Sequence, residues 1–222
     1  QLIREGLGGA GLASASEDSL DAIVVRRIVT LPTRTRRMLA IIAVAGGPIA
    51  ESVTLELEPA AAAITELSEL ALIRRDPGAS DPILEAAHDR IREVMVAELD
   101  TDELRGLHIE LGQVLASRAA PAQLLAEHFE RGEDPVRALD YLELAAAQAA
   151  EGLGFARAAE LYRRALALTG AAELERRERL ELALAEQLIN LGLSAAAAEL
   201  YLGLVTRARE PDTIVTIHGF EP

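Results

Sequence analysis

The chain contains no cysteine and no lysine. Without cysteine there is no disulfide, no thiolate nucleophile and no Cys-ligated zinc. Without lysine all 22 basic residues are arginine, and three kinds of site cannot be completed from this sequence. A Walker A loop needs Lys to reach the β- and γ-phosphates, a protein kinase needs Lys on its third strand, and a Schiff-base enzyme needs one as nucleophile. Aromatic residues amount to only 3% and tryptophan is absent. A core must therefore be assembled from Leu, Ala, Ile and Val, and Ala and Leu lose least on entering a helix. Positive charge is in deficit, with a net charge of −14, which disfavours nucleic acid as a bulk partner because phosphate contacts need clustered positive charge. Long apolar runs are missing too. The uncharged stretch Met38–Ala50 has 13 residues, too short to span a bilayer, and no signal peptide is visible. A cytoplasmic protein without a membrane partner is expected.

What remains is half apolar over 222 residues, enough for one or two domains. The Arg-only, Ala-rich usage has the look of a GC-rich bacterial genome. The chain opens on Gln1 rather than Met and reads as an excised part of a longer protein. Residues 1–18 read as a linker. Gly6, Gly8 and Gly11 spell G-x-G-x-x-G, but a dinucleotide site needs a strand before it and an apolar helix after it, and here Ala13-Ser14-Ala15-Ser16-Glu17-Asp18 follows.

Residues 19–100 read as one domain. Ser19 can cap a helix carrying Leu20, Ile23, Val24 and Ile28 on one face. Leu31-Pro32 ends it, Thr33 opens a second helix through Met38 and Ile42, and Gly46-Gly47-Pro48 stops that one. After a short segment, Glu51–Leu57, Glu58-Pro59 is expected to start a third helix with Pro at its first position. Its apolar face would be Ile64, Leu67, Leu70 and Ala71. Leu72–Arg75 and Ile83–Ala86 read as strands joined by the turn chemistry of Asp76–Asp81. A helix from about His88 to Leu99 buries Ile91, Val94 and Met95. Three helices and a two-stranded wing is the order of a winged helix.

Residues 101–210 read as helices alone. Leu104, Leu107, Leu111, Val114 and Leu115 line one, and Pro121 opens the next with Leu125, His128 and Phe129. Pro135 sits where another begins. Ala158-Ala159-Glu160-Leu161-Tyr162 recurs as Ala197-Ala198-Glu199-Leu200-Tyr201, 39 positions later, with Arg137-Ala138-Leu139-Asp140-Tyr141 as a weaker copy. Such a period is that of a helix-turn-helix solenoid close to the TPR length of about 34. Residues 211–222 stay unassigned, with a strand-like run at Thr213–Ile217. The expected fold class is thus mainly α: a winged-helix domain with a small β-hairpin, then a TPR-like helical repeat array.

No catalytic constellation emerges. From Thr54 to Glu69 the chain has Glu56, Glu58, Glu66 and Glu69 and no basic residue, so no nucleic acid is expected through the winged helix. The histidines at 88, 108, 128 and 218 match no metal motif. His108 and His128 fall on apolar helix faces and read as packed core residues. His88 admits two readings: a helix N-cap, with Asp89 favourable at the positive end of the dipole, or a phosphate contact. Acidic pairs such as Glu173/Arg177 and Glu175/Arg179 lie at i, i+4 and read as solvated helix faces.

The runs Leu31-Pro-Thr-Arg-Thr-Arg-Arg-Met-Leu39, Ala43-Val-Ala-Gly-Gly-Pro-Ile49, His88-Asp-Arg-Ile-Arg-Glu-Val94 and Leu125-Ala-Glu-His-Phe129 resemble the winged-helix region of bacterial STAND-type signalling ATPases. In particular they resemble large Ser/Thr protein kinases that carry an ATPase module and TPR-like repeats. The resemblance covers roughly residues 19–210. It implies a P-loop ATPase module, and a kinase domain, upstream of Gln1, with residues 1–18 as the end of the ATPase lid. It implies ATP/ADP with Mg in the parent chain and no cofactor held by this segment alone. It also implies that His88 and Asp89 sense the β-phosphate of ADP and hold a closed state. The segment would then be a regulatory arm rather than an enzyme, with the upstream ATPase module as one partner and a protein of unread identity on the repeats. The alternative is the C-terminal part of an ATP-dependent transcriptional regulator.

Overall fold

Proline and glycine decide where the first helices begin and end. In this computed structural model, which describes residue 22, residues 24–78 and residues 80–209, α1 is helical at residues 24–29. Pro32 stands at the N-cap of α2 (Thr33–Ala45), and Gly46 ends it with φ of 77°. That left-handed backbone is open to glycine at no steric cost. Met38 to Val44 are buried without interruption. A helix segment apolar on all sides is one surrounded by others, so the part of α2 from Met38 to Val44 runs through the core of its unit. Expectations for residues 1–18, the Ser19 cap with Leu20 and Ile23, Ala79 in the turn, and the tail 211–222 with His218 fall outside the described residues.

The described chain is mainly helical, with a three-stranded antiparallel sheet. It divides into two compact units: residues up to 119 with 131–133, and residues 120–130 with 134 onward. In the first, β1 (Ile49–Ala50), α3 (Glu51–Leu57), α4 (Ala61–Glu69), β2 (Ile73–Asp76), β3 (Ile83–Ala86), α5 (Asp89–Ala97) and α6 (Thr101–Ser117) follow α2. The sheet order is β1-β3-β2, with Ile73 opposite Ala86 and Ile49 opposite Leu84. Leu107 and Leu111 of α6 join this first core, so the unit runs past position 100. Asp100 and Glu103 form a capping box that starts α6, satisfying two N–H groups reciprocally.

Three readings of this region need correction. Pro59 does not open α4: the helix starts at Ala61 with Ala60 as N-cap. Glu58 stays with α3, its N–H bonded to the Thr54 carbonyl at 2.8 Å, and its carboxylate is buried near Arg34 and Arg37 at 3.8 and 3.6 Å. Leu70 and Ala71 are not on a buried face. Leu70 is exposed and Ala71 has φ of 53°. The Leu72 N–H bonds the Leu67 carbonyl at 2.9 Å and the Ala71 N–H bonds Ser68 at 3.0 Å, the pattern of a Schellman turn, which leads the chain into β2. Finally, the hairpin has a third strand: β1 is two residues long, too short for alternation to be visible.

The second unit contains α7 (Ala122–Arg131) up to Glu130, then α8 (Pro135–Glu151), α9 (Phe155–Leu168), α10 (Leu174–Asn190) and α11 (Ser194–Arg209). α8 and α10 have 17 residues each and start 39 positions apart, as do α9 and α11. Ala138, Ala146, Ala158, Ala159, Ala165 and Ala185 are wholly buried, so the helices meet along seams of methyl groups. The turns repeat as well. The Gly154 N–H bonds Ala149 at 2.8 Å and the Leu193 N–H bonds Leu188 at 2.8 Å, with left-handed Leu153 (φ 59°) and Gly192 (φ 74°) before them. The dipeptide order is reversed between the two turns, Leu-Gly at one and Gly-Leu at the other. Arg157 reaches Gln123 at 3.1 Å, Arg164 reaches Glu130, and Arg176 reaches Asp140 and Glu143. These links span 33 to 36 residues and tie α7 to α9 and α8 to α10.

Two predictions follow from these turns and caps. A left-handed residue bearing a Cβ costs about 1–2 kcal/mol, against about 0.5–1 kcal/mol for the extra chain entropy of glycine. Leu153→Gly is expected to raise the urea midpoint, by about 0.5 kcal/mol in stability; a lower midpoint would contradict the turn geometry. Asp134 caps α8, accepting from the Arg137 N–H at 3.0 Å and from Arg137 Nε at 2.7 Å. The backbone hydrogen bond from Arg137, then that from its guanidinium, holds the carboxyl below its ordinary value. Asp134→Ala is expected to cost about 1 kcal/mol at neutral pH. A depressed pKa gives stability that is present above the unfolded value of about 4 and lost as pH falls through the folded one. Denaturation curves of variant and wild type should therefore converge in acid.

Candidate functional site

β3 delivers the chain to the singled-out pair. Ala87 is buried and its N–H bonds the Leu72 carbonyl at 3.0 Å. This fixes the strand end, and the next two residues emerge at the start of α5. His88 takes extended backbone, φ −146° and ψ 147°, at the N-cap position, without a side-chain cap. Its carbonyl accepts from Ile91 at 3.0 Å. The N-cap reading of His88 therefore holds for its backbone alone; the imidazole is exposed. Asp89 stands in the first turn of α5 with its side chain 89% exposed, 3.6 Å from the Arg92 guanidinium. A carboxylate at that end of a helix is favourable, so its structural role and its availability coexist.

The pair lines a recess of about 250 Å³ with Gly46, Gly47, Arg74, Glu85 and Arg92. Arg74 and Glu85 face each other across β2 and β3 at 3.0 Å. Both are substantially exposed, so the pair adds little to stability. Gly47 leaves one side open, as a Cβ there would meet nothing within 4 Å. Two guanidiniums, an imidazole and the first N–H groups of α5 can gather on an oxyanion, the arrangement a phosphate needs. Glu85 and Asp89 set a charge limit on it. Among the described residues no hydroxyl group lines the recess.

The sequence reading named His88 and Asp89, and the fold brings both to this recess. It missed Arg74, Gly46 and Gly47, which arrive from β2 and the end of α2; only the strand pairing of Arg74 with Glu85 could have placed the former. Arg92 was within reach, four positions after His88. His108 and His128 are buried, at 4% and 3% exposure, where packed core residues were expected. Among the described residues no group of His, Asp or Glu is arranged to hold a metal ion, and no helix is long and apolar enough to cross a membrane. A larger groove of about 690 Å³ runs beside α2 and α6, and two of its charges are paired, Arg37 with Glu110 at 2.6 Å. No family model, no curated protein and no solved structure matches the chain.

Proposed function

We propose that this chain is the regulatory and protein-interaction segment of a multidomain bacterial signalling ATPase or kinase. The first unit acts as a winged helix that reads the nucleotide state, and the helices from α7 onward act as a TPR-like array that holds a protein partner. The observation that carries the reading is the recurrence of α8–α9 as α10–α11 at 39 residues, together with arginine links of 33 to 36 residues between alternate helices. Units that repeat in sequence, turn and cross-link are the mark of a solenoid, and solenoids present extended binding faces.

The nucleotide part of the reading rests on the recess of His88. An exposed imidazole at a helix N-terminus, with Arg74 and Arg92 beside it, suits a terminal phosphate supplied by an adjoining ATPase module, and a contact made in one nucleotide state only would bias a two-state arrangement. DNA reading is disfavoured for a reason that differs from the first impression. Glu58 is buried, Glu66 accepts from the Thr35 hydroxyl at 2.6 Å, and Glu56 holds Arg118 at 2.8 Å. The carboxylates of α3 and α4 thus do not form one repelling face. What counts against DNA is that α4 offers no basic or amide side chain to read a base. A transcriptional regulator remains the second reading, its DNA-binding part then lying elsewhere.

The test is ADP affinity, by calorimetry, of the chain joined to its ATPase module and of the chain by itself. The joined protein is expected to bind ADP. His88→Ala is expected to weaken it about ten- to a hundredfold, the range for loss of a hydrogen bond to a charged group, while the chain by itself binds weakly. Tight ATP binding by the chain alone, or unchanged ADP affinity in His88→Ala, would overturn the reading.

A further inference from the structure

A second recess, of about 420 Å³, shares Gly46 and Arg92 with the first. All its lining residues belong to the first unit, Arg131 included. Val44, Val96 and Leu104 supply apolar wall, and Arg92, His108 and Arg131 supply the polar groups. Among the described residues no carboxylate lines it, although the chain carries 36 acidic residues against 22 basic. Several arginines of this unit are matched by carboxylates: Arg75 with Glu51, Arg37 with Glu110, Arg118 with Glu56. Arg131, by contrast, has no ion-pair partner among the described residues, and Arg92 is met only by the exposed Asp89 at 3.6 Å.

We propose that this recess binds a small organic oxyanion, a carboxylate or phosphate carried on a short apolar chain. Guanidinium groups present planar forks that match the paired oxygens of either head. The buried imidazole of His108 adds a polar surface to the pocket lining. The apolar wall gives the carbon chain somewhere to leave water, and the volume falls in the ordinary range of small-molecule sites, about 300–1,000 Å³. A purely structural role for the cations, offsetting the negative end of α2, accounts for about half a unit charge. Two guanidiniums exceed that need. The recess shares Arg92 with the nucleotide reading but is lined by neither His88 nor Asp89.

The experiment is an NMR titration of the full chain, followed at the His108 imidazole, with acetate, butyrate and hexanoate in one arm and inorganic phosphate and butyl phosphate in another. Sodium chloride at equal ionic strength is the control. Saturable shifts are expected in at least one arm, and the preferred arm identifies the head group. Each added methylene is expected to tighten binding about three- to fourfold, from about 0.8 kcal/mol per buried CH₂. Arg131→Ala, at an exposed position, is expected to weaken binding at least tenfold, with Arg131→Lys retaining part of it. His88→Ala is expected to leave it unchanged. Shifts that follow ionic strength alone, affinity independent of chain length, or full affinity in Arg131→Ala would each overturn the proposal.

Discussion

Contact between alanine methyl groups sets the geometry of the second unit. Ala158 and Ala159 of α9 and Ala185 of α10 are wholly buried, so the helix axes approach as closely as side chains permit, and any larger residue at these positions would force them apart. Such seams bury little apolar area per residue. The remaining stabilisation has to come from the leucines between them, Leu142, Leu161, Leu184 and Leu188 among others, and from groups that tie helices together at longer reach. Phe129, Tyr141 and Arg137 form one such tie: the two rings stack at 5.4 Å and the guanidinium lies 4.5 Å from the Phe129 centroid. A chain with so few aromatics places two of them against each other at the point where α7 meets α8.

The exclusive use of arginine fits the same constraint. Arg176 bridges Asp140 and Glu143 on α8, a two-carboxylate contact that a forked guanidinium can make and a point-like ammonium cannot make as well. In the first unit Glu58 is buried beside Arg34 and Arg37, and truncating a partner of a buried charge costs more than the pair is worth. Two arginines of α2 are likewise committed: Arg37 to Glu58 and Glu110, and Arg36 to the Glu98 carbonyl at 3.2 Å.

Much of the fold was legible where a residue dictates its own backbone. Gly46, Pro135 and the Asp76–Asp81 turn act through their own φ preferences, and the periodicity of Leu107, Leu111 and Leu115 is local. What escaped was set by partners distant in sequence. β1 exists because Ile49 meets Leu84. Pro59 lost the helix start because Glu58 is held back by Thr54 and by two arginines. Ala71 and Leu153 turn left-handed although neither is glycine, because the carbonyls they serve demand it. The site divides in the same way. The His88-Asp89 pair is contiguous and was readable, while Arg74 and the two glycines meet it only through strand pairing and the end of α2.

The end of α2 also explains why cations collect where they do. The helix has no basic residue in its last turn, and Gly46 turns its N–H back to Ala43 at 3.2 Å, leaving other terminal carbonyls without a partner inside the helix. Arg92 on α5 and Arg131 both line the recess around Val44, at that end of the helix. A helix terminus carries about half a charge, whereas each guanidinium carries a whole one. A recess of this kind prefers an anion before any detail of shape is considered, and shape then decides only which anion.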